Sequence, residues 1–115
     1  VIYVDTRSIR EAIESTSKRS IPGLLELIDL YCRLKFKSDY VNVLFNNPEY
    51  VVDFLKTLYT PEVVESIIRE LFIKPIVSVL GVSDFKRLIE LAIREPTVFK
   101  EELKRLLETK KAIHD

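Results

Sequence analysis

Residues 61–80, PEVVESIIRELFIKPIVSVL, decide the fold. Thr60 can cap a helix there and Pro61 can occupy its first position, where a missing N–H costs nothing. Val63, Val64, Ile67, Ile68, Leu71, Phe72, Ile76, Val79 and Leu80 then recur at helical spacing up to Gly81, a helix-stop residue. Eleven of the twenty positions are apolar, more than one stripe on a surface helix holds. Two readings follow. Either this is a central helix covered on several sides, or a face marked by Ile68, Phe72, Ile76 and Val79 meets another chain. Pro75 is expected to kink or split the helix, because its ring clashes with the carbonyl one turn back.

The same start signal recurs on both sides. Asn47-Pro48 opens a helix with a stripe of Val51, Val52, Leu55, Leu58 and Tyr59, and Pro96 opens one carrying Phe99, Leu103, Leu106 and Leu107. These two segments overlay without a gap, but they read as two ordinary proline-started amphipathic helices and not as a solenoid repeat, which needs about three copies. Between Gly81 and Pro96, Ser83-Asp84 caps a helix with Phe85, Leu88, Ile89 and Ala92. On the exposed faces, Glu90/Arg94 and Glu101/Arg105 have ion-pair spacing.

Towards the N-terminus, Ser8 and Glu11 form a capping-box pattern for a helix near 7–18, which the polar run 15–20 ends. Ser20 and Pro22 start a second helix, with Leu24, Leu27, Ile28, Tyr31 and Leu34 as its stripe. Ser38-Asp39 reads as a stop. Residues 40–45 are β-prone by composition, and an extended segment there could pair with Val1–Val4. The fold class expected is therefore all-α: one domain over 1–115, a compact bundle of five or six helices around 61–80, with room for one short strand pair. Short proline-started connections favour antiparallel neighbours.

Composition narrows the function. Eighteen basic and eighteen acidic residues cancel, whereas a protein that neutralises many phosphates carries a basic excess. A local exception is the basic-aromatic segment 31–40, where Arg33, Lys35 and Lys37 interleave with Tyr31, Phe36 and Tyr40. The single cysteine, Cys32, excludes an internal disulfide and suits a reducing, cytoplasmic setting. Asp5 and Arg7 interrupt the apolar start, so no secretory signal is expected, and a methionine-free chain beginning at Val1 is expected to have lost its initiator or been trimmed. The apolar stretch 71–80 is about half a bilayer span. Gln, Met and Trp are absent while branched aliphatics and charges abound, a bias associated with thermophiles and here suggesting an archaeal source.

Catalytic signatures are missing. Two glycines, Gly23 and Gly81, leave no phosphate-cradling loop. His114 and Cys32 are too few for a metal site, and Cys32 reads as a small buried hydrophobe. Glu101-Glu102 and Asp84/Glu90 lie on helix surfaces, unlike the cleft that raises a catalytic carboxyl. No catalytic residue, cofactor or metal is implied.

From Asn47-Pro48-Glu49 the chain resembles the archaeal Nitrosopumilus output domains. Asp39, Leu55, Tyr59, Val64, Ile67, Ile68, Leu71, Lys74 and Leu80-Gly81 carry the likeness over about 24–81. Thr60-Pro61-Glu62 stands where that family has a glycine-rich turn, and the last two helices lie outside the likeness. The resemblance implies a signal-output or protein-interaction module without known catalytic residues. The residues point to the same class, a non-catalytic interaction or regulatory module that binds a protein partner or itself as a homodimer and does not enter a membrane. The alternative is a nucleic-acid-binding regulator using 31–40.

Overall fold

A computed structural model describes the backbone of residues 6–82 and 84–114. Seven helices are found among them: α1 Thr6–Ser20, α2 Leu24–Phe36, α3 Tyr40–Asn46, α4 Pro48–Leu58, α5 over 61–80, α6 Phe85–Arg94 and α7 Pro96–His114. The all-helical class expected from the sequence is the one observed. The radius of gyration, 13.3 Å, matches the roughly 13 Å of a close-packed chain this long.

The central helix is α5. Its Pro61–Ile67 section packs on α4, and its later sections pack on α1, α6 and α7. Thr60 caps it, the hydroxyl accepting from the Val63 N–H at 3.4 Å. Gly81 ends it in the left-handed region (φ 70°), donating to the Val77 carbonyl at 2.8 Å. A Cβ on Gly81 would meet nothing within 4 Å, so the cost of a side chain there lies in the backbone alone. Gly81→Ala should therefore lower stability by about 1 kcal/mol in urea unfolding; an unchanged midpoint would contradict this capping role.

Pro75 does not break α5. Ile68–Ile73 is π-helical, and the Lys74 N–H reaches back five residues to the Arg69 carbonyl. The wider turn falls just before the proline and makes room for a ring that an α-turn would not accept. Lys74–Leu80 then resumes as α-helix with Pro75 buried.

Most of the surplus apolar surface of 61–80 is core within one chain, with Val63 left exposed. Ile68, Phe72 and Ile76 are buried, and Val79 is half-buried against the same core. Of the two readings, the interface one is corrected for Ile68, Phe72 and Ile76, which have almost no surface left in a section packed on α1, α6 and α7, while Val79 is covered only in part.

Residues 40–45 are corrected from strand to helix. Asp39 begins α3 instead of stopping α2. One carboxylate oxygen accepts from the Asn42 N–H at 2.9 Å. Asp29, from α2, accepts from the Tyr40 N–H at 3.0 Å. Two carboxylates thus satisfy two of the open N–H groups and complement the helix dipole, while Tyr40, Val41, Val43, Leu44 and Phe45 all enter the core. Burial overrides the β-propensity of the segment. Its expected partner strand, Val1–Val4, lies outside the described residues.

Helix starts also move. α1 begins at Thr6, so Ser8 lies inside its first turn. It runs through the polar stretch to Ser20, where the Thr16 and Ser17 hydroxyls donate to the carbonyls of Ala12 and Ile21 at 2.8 and 3.3 Å. Gly23 in the left-handed region (φ 90°) precedes α2, so Ser20 closes α1 and Pro22 lies in the α1–α2 junction instead of opening α2. Ser83 lies outside the described residues, and Asp84 forms no side-chain cap on α6.

Candidate interaction surface

α2 is a peripheral helix that packs on α1, α3 and α4. Leu24, Leu25, Ile28 and Cys32 face inward and are buried. The opposite side is also apolar: Leu27 is 44 % exposed, Leu30 53 % and Leu34 66 %. Their spacing, three then four residues, places them in one line along the helix, as in the seam of a coiled coil. Leu27 and Leu34 were expected in the core stripe. The helix has two apolar sides, and the core takes the one with Leu24, Ile28 and Cys32. Leu30, which completes the outer line, was not singled out from the sequence, although its spacing from Leu27 and Leu34 was the available signal.

The line continues onto α4. Tyr31 stacks on Phe54 with centroids 4.0 Å apart, and Phe36 stacks on Tyr50 at 4.3 Å. As the α2 number rises, its α4 partner's number falls, so the helices run antiparallel here, and the same register brings Leu58 to the level of Leu27. Leu58 and Tyr59, expected in the α4 core stripe, are exposed, whereas Val51, Val52 and Leu55 are buried. The result is one apolar face on two helices with half-exposed aromatic rings along the join.

The basic residues sit at its C-terminal end. Arg33 pairs with Asp29 one turn back at 2.7 Å, and this carboxylate holds the guanidinium's pKa up. The Lys35 ammonium lies 5.6 Å from the Tyr31 ring centroid. Lys37 is exposed at the end of α2 with a left-handed backbone (φ 57°). The structure brings the three cations to one end of α2, but the Tyr31 ring is stacked on Phe54 and has Lys35 over it, and Phe36 gives a face to Tyr50. Base stacking, which nucleic-acid binding through 31–40 needs, finds these faces in use.

Other chemical groups are quiet or structural. Cys32 is fully buried, and burial followed by the nearby Asp29 and Asp39 charges pushes its thiol up to about 11, so it is protonated at neutral pH. Burial, reinforced by Glu14, also raises the Tyr40 phenol well above its ordinary value. Glu102 bridges Arg87 of α6 and Arg105 of its own helix. The Arg105 hydrogen bond, acting against partial desolvation, holds its carboxyl below the usual range, the opposite of what a general acid needs. A groove of about 580 Å³ between α5 and α6 is open and carries acids (Glu62, Glu65, Glu90) and bases (Arg69, Lys86, Arg94) in equal number. Among the described residues, no three His, Cys, Asp or Glu side chains are placed to share a metal ion, and no helix is long and apolar enough to cross a membrane. The side chain of His114 lies outside the described residues.

The chain matches no protein-family model, no curated protein and no solved structure.

Proposed function

We propose that this chain is a non-catalytic protein-interaction module that works through the outer face of α2 and α4. The observation that carries this reading is the line Leu27, Leu30, Leu34, left exposed on a helix whose other side already supplies the core. Scattered surface leucines need no explanation, but three in register beside a row of aromatics form a contiguous patch, and such patches mark interaction sites. Aromatic rings at the join fit an interface core, where they are enriched. The resemblance of 24–81 to output domains points to the same class. A reducing, cytoplasmic setting and an archaeal, thermophilic source belong to this reading through the single cysteine and the composition.

The test is photo-crosslinking in the producing cell, with a benzophenone amino acid placed at Leu30 or, as a control, at exposed Glu101 of α7. Position 30 should yield discrete protein adducts, and position 101 should not. Equal labelling from both positions, or none from position 30, would overturn the reading.

A further inference from the structure

We infer that the occupant of this face is a second copy of the chain, with its α2 laid antiparallel across α2 of the first. This rests on the interaction-module reading above and adds the partner's identity and orientation.

The argument begins with spacing. A two-fold axis beside Leu30 places Leu30 against its own copy. The same axis brings Leu27 of one chain within one residue of the level of Leu34 in the other. Six leucines then form a closed, self-complementary row, the property an isologous interface requires.

Charge selects the direction. Glu26 stands one residue before Leu27, and Arg33 one residue before Leu34, so the two flank the seam on the same side at seven-residue spacing. Both are exposed. In the antiparallel arrangement Glu26 lies within one residue of the level of the copy's Arg33, and the pair occurs twice. Flanking charges of this kind set partner choice and orientation in helix pairs. A parallel arrangement would instead bring the Arg33, Lys35 and Lys37 clusters of two chains together, with both negative helix ends side by side.

Area requires α4 as well. A stable interface takes about 800 Å² from each partner, more than one face of a 13-residue helix provides. Tyr50 and Leu58, exposed on α4 beside α2, extend the surface along one side of the seam, near its two ends.

The test is molar mass in solution, by sedimentation equilibrium of the purified full chain over a wide concentration range. Wild type should shift reversibly towards twice 13.4 kDa. Leu30→Glu should weaken association about a hundredfold or more, with an unchanged thermal melt of the dilute monomer. Glu26→Arg should weaken it about tenfold, and adding Arg33→Glu should restore it. A wild type that stays at 13.4 kDa, or a dimer insensitive to Leu30→Glu, overturns self-association through this face. A dimer that Leu30→Glu breaks but Glu26→Arg leaves intact overturns the antiparallel arrangement. A monomeric wild type whose position 30 still crosslinks to another protein removes self-pairing alone. Monomer without such crosslinks removes the interaction-module reading too.

Discussion

Replacing Phe72 by alanine is expected to lower stability by about 3–5 kcal/mol, the usual result of emptying a buried aromatic site. For a chain of this size that is a fall in Tm on the order of 10–20 °C. Phe72 is 1 % exposed and sits in the π-helical section of α5, where α1 and α6 close over it. Phe72→Asp should not fold, since its carboxylate would be buried without a partner. Leu30→Glu gives the contrast. It also puts an acid in place of a large apolar side chain on a helix, yet should change the stability of the isolated chain by no more than about 0.5 kcal/mol. Circular-dichroism melts of the three variants at low protein concentration check this. A folded Phe72→Asp chain would mean that α5 is less enclosed than described.

Asp39→Ala is the second substitution with a large expected effect. Asp39 caps α3 through the Asn42 N–H and receives the Arg10 guanidinium of α1 at 2.8 Å. Loss of a cap of this kind costs about 1–2 kcal/mol, while the ion pair, with both side chains partly exposed, adds little. Asp39→Asn keeps an acceptor for the Asn42 N–H and should lose less than the alanine variant. Acid provides an independent check. Partial burial alone would raise the Asp39 carboxyl, but the Asn42 N–H and the Arg10 guanidinium outweigh burial and hold it below its ordinary value. A carboxyl lowered on folding stabilises the fold above its unfolded pKa, about 3.9, and loses that contribution as pH falls through the folded value. The stability gap between wild type and Asp39→Asn should therefore narrow below about pH 4 in urea titrations. A gap that stays constant from pH 7 to pH 3 would remove the charge from this account.

The starts and stops at proline and glycine were legible because their chemistry is local. Pro61 needs no N–H at the first position of a helix, Pro48 and Pro96 open α4 and α7 in the same way, and Gly81 takes a backbone angle that other residues resist. Leu55, Leu71 and Leu103 fell on their stripes and are buried. What failed depended on the rest of the molecule. Nothing within residues 40–45 says that Asp29, eleven residues before Tyr40, will supply a hydrogen bond to a helix there. Periodicity located the apolar positions of α2, but a helix apolar on both sides does not say which side its neighbours will cover. Leu27 and Leu34, on the expected core stripe, are exposed, and the two readings open for 61–80, central helix or interface, are separated only by the burial of Ile68, Phe72 and Ile76. The cations Arg33, Lys35 and Lys37, which the alternative reading takes as a nucleic-acid patch, border the leucine line in the fold.

The π-helical turn of α5 has one more consequence, in the angular phase of its apolar positions. Val64, Ile67, Ile68 and Leu71 keep α-helical spacing, and continuing that rhythm would place the next inward positions at 74 or 75 and at 78. Pro75 still keeps that rhythm and is buried, but Ser78 is exposed, while Ile76 and Leu80 are buried. The rhythm therefore slips late by one or two residues, and the slip falls at the place where the backbone accommodates an extra residue in a widened turn. The two halves of α5 are in effect rotated against each other about a common axis. One half is timed to α4 and the other to α1 and α7, so a single rod serves two sets of neighbours that no unbroken α-helical stripe could face together.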